Sequence, residues 1–454
     1  MFDDTIAALS TPPGSGGIGV VRVSGDKALS ILNAVFRRKK DASAMKSHTL
    51  YYGVAADEKG EVADEVLACY MKKPATYTRE DVVEIHCHGG SSCVAGVLRL
   101  VLLNGARPAE PGEFTKRAFI NGRIDLSRAE AVMDVISAKT DLARRAAINR
   151  LQGSVHKECA EISTEIVSVL ARVEASIDYP EHDLEEITLK DVKDRSLRLI
   201  KRLDRLIDGA HRGRVLQYGV ETAIVGKPNV GKSSLLNFLL GEDRAIVSDT
   251  PGTTRDAIQE CANIKGVPLR LADTAGIRET TDEIERMGVE KALRHIDSAD
   301  LLIIVLDGSS PATEEDISLL MNTRERKRIV AINKSDLPSA LHLEEEWIKP
   351  DEIIKISLLD EIGANKLLEK IKDMFFLGEI EQKDTLISGL RAEQALRRCR
   401  DGLCNVVRAV DAGLPEDFCT IDLRESHAAL GEITGETTDD AVIDKIFSEF
   451  CVGK

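Results

Sequence analysis

The sequence predicts a multidomain α+β and α/β protein, and three observations carry that prediction. A chain of 454 residues exceeds what one hydrophobic core supports. Short β-branched runs fill residues 1 to about 120, whereas the stretch from about 123 to 215 has apolar residues at three and four spacing and almost no Gly or Pro. From there to about 380 strand and helix patterns alternate, the signature of a doubly wound, mostly parallel sheet, before helical periodicity returns. The expected parts are an N-terminal α+β domain (1–120), the first part of a helical domain (121–217), an inserted Ras-like P-loop domain (218–380) and the second helical part (381–454).

Taken in order, "IGVVRVSG", "DEVLACYMKK" and "DVVEIHCHGG" read as strands because each is β-branched and bounded by Gly, Pro or charge. The glycines of "TPPGSGGIGVVRVSG" precede a strand instead of following one, so they shape a turn and not a dinucleotide loop. Alternation along "DVVEIHCHGG" sets Val83, Ile85 and Cys87 on one face and Glu84, His86 and His88 on the other. That polar face is either a set of metal ligands or the hydrogen-bonded wall of a site. In the helical stretch, Arg195, Arg198, Arg202 and Arg205 form a stripe with Asp191, Asp194, Asp204 and Asp208 interleaved. It reads as a solvated salt-bridged face or as an RNA contact. "LRAEQALRRCRDGLCNVVRAV" and the amphipathic "AVIDKIFSEF" are again helical. Neither helical half caps itself, so the α/β domain is expected to interrupt a single helical domain.

The bulk composition, 43% apolar and 30% charged, is that of a globular chain, and no run of eighteen uncharged apolar residues occurs. "MFDDTIAALS" is acidic where a signal peptide is basic, which points to the cytoplasm and to no membrane association. Nine scattered cysteines form no paired framework and no C-x-x-C knuckle, so they read as reduced thiols. A net charge of −15 excludes bulk electrostatic coating of nucleic acid. Any RNA contact must be focused.

The chemistry concentrates in the α/β domain. Gly226 to Ser233, "GKPNVGKS", fits G-x-x-x-x-G-K-[ST] between the strand "TAIV" and the helix "SSLLNFLL". Amides of Gly226, Asn229, Val230 and Gly231, and of Ser233 and Ser234 at the helix start, would cradle phosphates. Lys232 would neutralise the β/γ oxygens and Ser233 would hold Mg²⁺. Asp273 in "DTAG", with Thr274, Ala275 and Gly276, follows a strand and would hold the Mg²⁺ shell. Asn333, Lys334 and Asp336 of "NKSD" follow "RIVAI", and the Asp336 carboxylate can accept two donors from guanine that adenine does not offer. Ser357 and Leu358 in "ISLLDEIG" form the last base-contacting loop, where Leu358 replaces the usual Ala. Ser248, Asp249, Thr250, Pro251, Gly252, Thr253 and Thr254 make up the intervening polar loop, and Thr254 would complete the Mg²⁺ shell beside a γ-phosphate. Four motifs in this order imply GTP hydrolysis. The position after "DTAG" is Ile277, which cannot orient a water, so another polar group from Glu279, Asp282, Glu283 and Glu285 is required.

The combination of "GKPNVGKSS", "GTTRD", "DTAGIRETTDEIERMG", "NKSD" and a terminal "CVGK", with "TPPGSGGIGVVRVSG", "EDVVEIHCHGG" and "RPAEPGEFTKRAFINGRIDLSRAEA", resembles the MnmE (TrmE) family of tRNA-modification GTPases from end to end. The resemblance implies a potassium-dependent GTPase whose nucleotide domains dimerise, with Asn229 as a K⁺ ligand assisted by Ser248, Thr250 and Thr253. It implies Glu285 as the water-orienting acid and Arg255 as a switch-loop arginine. It further implies a folate-binding N-terminal domain that forms the homodimer. There Arg22, Glu84, Arg123 and Lys454 would hold a 5-formyl- or methylene-tetrahydrofolate as one-carbon donor. Some relatives carry Lys at the Arg123 position, which keeps charge but not fork geometry.

The implied reaction adds an aminomethyl or carboxymethylaminomethyl group at C5 of wobble uridine in certain tRNAs. It would run in a heterotetramer with a FAD-dependent MnmG-type partner. Cys451 of "CVGK" becomes a candidate nucleophile or acid/base carried to that site by the last helix, with the Lys454 ammonium nearby. A prenylation box fits poorly, because Gly453 and Lys454 stand where aliphatic and small residues are needed; a frayed tail, or a cysteine that only packs, is the other reading of this end. Two other readings compete. A ribosome-assembly switch GTPase of the Era or Der type shares the nucleotide motifs but leaves the N-terminal domain and "CVGK" unexplained. A free-standing folate aminomethyltransferase leaves the nucleotide domain unexplained.

Overall fold

The structure, a computed structural model, describes residues 4–38, 45–178, 185–242, 260–271, 299–344, 346–360, 362–375 and 385–454. It divides into two compact units, one formed by Met1–Met133, Leu151–Leu197 and Asp401–Lys454, the other by Asp134–Arg150 and Arg198–Arg400.

The first unit is built on seven strands: β1 (Ile6–Leu9), β2 (Ile18–Ser24), β3 (Phe36–Arg37), β4 (Thr49–Ala56), β5 (Val62–Met71), β6 (Val82–His88) and β7 (Arg107–Pro108). Their order is β3-β4-β5-β6-β2-β1-β7, antiparallel except where β7 joins β1. The alternation read in β6 is present: Val83, Ile85 and Cys87 are buried, while Glu84 and His86 are half-buried and His88 is exposed. The helices Ala28–Val35 and Ser91–Leu103 supply Ile31, Leu32, Val35, Val97 and Val101 to one apolar cluster with Val21, Val23 and Ile85 of the sheet. The glycine-rich turn before β2 pairs with the end of β6, Gly16 N donating to Gly89 O at 3.2 Å. A side chain on Gly89 would stand 2.5 Å from that turn's Gly16 carbonyl, which is why backbone alone fits there.

Two long helices of this unit, Ser154–Asp178 and Glu416–Thr434, pack along each other with Ile162, Ile166, Val169, Leu423 and Leu430 buried. The arginine stripe of the helix Glu185–Tyr218 is salt-bridged at its start, where Asp191 accepts from Arg195 at 2.9 Å and from Arg172 at 2.7 Å.

The second unit carries the predicted sheet. Its strands are β8 (Val220–Val225), β9 (Glu260–Ile264), β10 (Val267–Leu271), β11 (Leu301–Asp307), β12 (Arg328–Asn333) and β13 (Ile353–Lys355), in the order β13-β12-β11-β8-β10-β9. All neighbours are parallel except β9 and β10, which form a hairpin. Lys265 and Gly266 at its tip both have positive φ, 49° and 95°, as a two-residue turn matching strand twist requires. "LLIIVLD" and "RIVAIN" are near-continuous apolar runs because central parallel strands are covered on both faces. Among the described residues no helix is long and apolar enough to cross a membrane.

Candidate functional site

The loop after β8 takes the conformation that its glycines and asparagine permit. Gly226 and Gly231 have φ of 145° and 107°, and Asn229 sits at 62°, a left-handed position that Asn tolerates better than most residues. A Cβ on Gly226 would meet Val305 O at 2.3 Å and one on Gly231 would meet Asn333 Nδ2 at 2.2 Å. The helix Lys232–Glu242 starts directly behind the loop, so its first amides and its positive dipole end face the loop's concave side. Lys232 donates from Nζ to Gly226 O at 2.7 Å and to Lys227 O. Burial lowers its ammonium below the ordinary lysine range. Ser233 and Ser234 are exposed at the helix start.

The base-side loop is tied to the phosphate-side loop through one side chain. Asn333 is buried; its Nδ2 donates to Val230 O at 2.8 Å and its Oδ1 accepts from Leu358 N at 3.4 Å. Lys334, with φ of 62°, pairs through Nζ with Asp307 Oδ2 at 2.6 Å. Burial would raise the Asp307 carboxyl, but hydrogen bonds from Lys334 and Ser309 outweigh it and hold it below the usual carboxylate range. Asp336 is exposed and has no partner among the described residues. Ser357 is fully buried, its N donating to Ile362 O at 2.9 Å, and Leu358 packs partly buried on the apolar core of the sheet. Asp307 at the end of β11 was missed in the sequence reading, although an acid ending an otherwise apolar strand was its signal. Ser248, Asp249, Thr250, Pro251, Gly252, Thr253, Thr254, Arg255, Asp273, Thr274, Ala275, Gly276 and Glu285 lie outside the described residues.

In the first unit, Arg22, Arg123 and Lys454 line one cavity of about 550 Å³, together with Tyr77, Arg128 and Gln152 among others. Arg22 and Glu84 face each other across β2 and β6, and Glu84 Oε1 accepts from Arg22 Nε and Nη2, both at 2.9 Å. Glu84 therefore reaches the cavity through Arg22 and does not line it. Tyr77 is the residue the sequence reading missed: Arg123 lies 4.6 Å and Arg22 5.9 Å from its ring centroid, and Arg123 Nη1 donates to its carbonyl at 3.2 Å. No local pattern in "KKPATYTRE" marks it, because its neighbours come from β2 and from the turn after the helix Glu113–Ile120.

The last residues reach this cavity by backbone docking. Phe114 N donates to Lys454 O at 3.1 Å, and Gly453 O accepts from Ser10 Oγ at 3.2 Å and Arg22 Nη1 at 3.3 Å. Val452 bridges Pro111 in antiparallel fashion. Gly453 has φ of 90° and a Cβ there would stand 2.2 Å from Leu9 O, so glycine is required twice over. Cys451 is exposed and is not a lining residue of the cavity.

Two family models match the chain: the GTP-binding protein TrmE N-terminus over residues 5–123 and the MnmE helical domain over residues 126–451. The chain is similar to the tRNA modification GTPase MnmE of Alkaliphilus oremlandii, 48% identical over all of both chains. It is also similar to that of Lacticaseibacillus paracasei, 49% identical over 99% of this chain and 98% of the relative. Among solved structures, the G domain of the T. maritima FeoB iron transporter is 27% identical over 34% of this chain and 96% of that one, with a TM-score of 0.22. Near one-half identity along the full length, with both family models in place, shows that the chain belongs to the MnmE (TrmE) family of tRNA modification GTPases.

Proposed function

We propose that this tRNA modification GTPase is potassium-dependent and cytoplasmic. In this reading it acts with a FAD-dependent MnmG-type partner on C5 of wobble uridine, with a tetrahydrofolate derivative as one-carbon donor. One observation carries the folate part: Arg22, Arg123 and Lys454, which are far apart in the sequence, line the same cavity. That cavity suits a folate, since the Tyr77 ring, Ile124, Val132 and Leu151 offer apolar wall and the cations offer partners for carboxylates. Bound there, the folate would supply the carbon unit. Glu84 keeps the Arg22 guanidinium oriented, and the docked tail fixes Lys454 at the rim.

In the nucleotide domain, Lys232 and the loop amides would hold the phosphates. Ser233, Thr254 and Asp273 would hold Mg²⁺, and Asn229 with Ser248, Thr250 and Thr253 would hold K⁺. The donor set fits: the hydroxyl of Ser233 and the amide of Asn229 are exposed beside the loop. Asn333, Lys334, Asp336, Ser357 and Leu358 would frame the guanine. Glu285 and Arg255 are assigned to hydrolysis, and Cys451 to the modification chemistry. The homodimer is assigned to the N-terminal domain, and the four parts 1–120, 121–217, 218–380 and 381–454 to separate roles. GTP turnover in K⁺ against Na⁺ tests the cation: turnover is expected to fall sharply in Na⁺, and equal rates would remove potassium from the mechanism.

A further inference from the structure

The cavity lined by Arg22, Arg123 and Lys454 has a neighbour. A second cavity of about 480 Å³ shares Tyr77 and Arg123 with it, and its other walls include His48, Arg79 and the turn at 74–76. Two guanidiniums thus stand on one wall, and neither has a carboxylate partner among the described residues. Arg79 Nη1 donates to Asn121 O at 2.9 Å, and Arg123 Nη1 to Tyr77 O at 3.2 Å. Three other arginines of this unit are ion-paired instead: Arg22 with Glu84, Arg107 with Asp4 and Glu113, and Arg117 with Asp4, Glu80 and Glu113. In a chain of net charge −15, two neighbouring arginines held by carbonyls and, for Arg123, by the Tyr77 ring leave their charge open to an anion from outside.

The backbone of this wall supports the same conclusion. His48 and Arg79 both have φ of 61°, and the described residues contain only five non-glycine positions with positive φ. Such conformations are unfavourable for large side chains and concentrate at ligand sites. The His48 ring is braced on both nitrogens, Nδ1 by Ser47 Oγ at 2.8 Å and Nε2 by Ala75 O at 2.9 Å. Asn121, which anchors Arg79, is itself fixed by Nδ2 donating to Thr78 O at 2.7 Å. The two arginines are therefore held in place before any ligand arrives.

We propose that the second cavity receives the glutamyl carboxylates of the folate, with Arg79 and Arg123 as the receiving cations, so that polyglutamylated folate is the preferred form. The inference rests on the folate reading of the first cavity. A folate is uncharged and ring-bearing at the pterin-aminobenzoyl end and anionic at the glutamyl end. The first cavity holds the apolar wall, and Arg123, common to both cavities, stands where the ligand changes character.

The test is calorimetric titration of the full chain with 5-formyltetrahydrofolate as its monoglutamate and as its polyglutamate. Added guanidinium–carboxylate pairs should make the polyglutamate bind about tenfold more tightly, an advantage that shrinks as salt rises. Arg79→Asn, which keeps a residue tolerant of left-handed backbone, should remove most of that advantage and change monoglutamate affinity much less. Equal affinity of the two forms for the unmodified chain overturns the inference and leaves the folate site standing. Failure of both forms to bind overturns both. A loss in Arg79→Asn confined to binding of an anticodon stem-loop RNA would assign the arginine to RNA and also overturn it.

Discussion

Single residues here owe their chemistry to their partners more than to their type. Asp64 accepts from the His88 ring and from the His88 amide, each at 2.7 Å. Burial alone would raise Asp64, but those hydrogen bonds outweigh it and lower it, while the same carboxylate raises His88. A raised histidine adds stability that is complete below its ordinary value of about 6.5 and fades as pH climbs through the raised value. NMR titration of His88 should show a midpoint above the ordinary range, and Asp64→Asn should return it there. An unchanged midpoint in that variant would mean that Asp64 is not the cause. His88 was read as one of three groups on a polar face, and the described residues contain no cluster of metal-ligating side chains. Its partner is a carboxylate from the neighbouring strand β5.

At the scale of elements, the short helix Glu113–Ile120 organises the N-terminal unit through one side chain. Arg117 is fully buried and pairs with Asp4 Oδ1 at 2.6 Å, Glu113 Oε1 at 2.9 Å and Glu80 Oε1 at 3.2 Å. Arg117→Met would leave Glu113 buried without one of its two guanidinium partners, and removing one side of a buried ion pair costs about 3–5 kcal/mol. Urea unfolding should show the N-terminal unit melting first in that variant, whereas a shift within experimental error would show that the network contributes little. The nucleotide loops depend on one side chain in a similar way. Asn333→Ala breaks the buried links to Val230 O and Leu358 N, at a cost of about 1–3 kcal/mol for the unsatisfied groups. Weakened GTP binding should accompany it; full affinity in Asn333→Ala would show that the two loops hold their places independently.

For the whole molecule, nucleotide chemistry and tail docking belong to different units, which makes them separable by mutation. Gly453→Ala forces a Cβ to 2.2 Å from Leu9 O at a φ that alanine avoids. The tail should undock and Lys454 should leave the cavity rim. GTP turnover should then stay within about twofold of the unmodified chain, since the tail's partners Ser10, Arg22, Pro111 and Phe114 are not residues of the nucleotide loops, while tRNA modification in cells is lost. Modification at the normal level in Gly453→Ala cells would show that the docked tail is dispensable.

The sequence by itself determined the order of parts, the strand–loop–helix around Lys232, the alternation in β6 and the family. These features are local, set by periodicity and by glycines within a few residues of the groups they serve. Tertiary structure alone decided that Arg22 meets Glu84 across two strands, that Tyr77 joins two arginines, that Asn333 ties the loops and that Lys454 lines the cavity while Cys451 stays exposed. Each of these joins residues separated by tens to hundreds of positions, and only strand register and backbone docking bring them together. The sequence could therefore supply the chemical groups of the site, but their spacing and company followed from the fold.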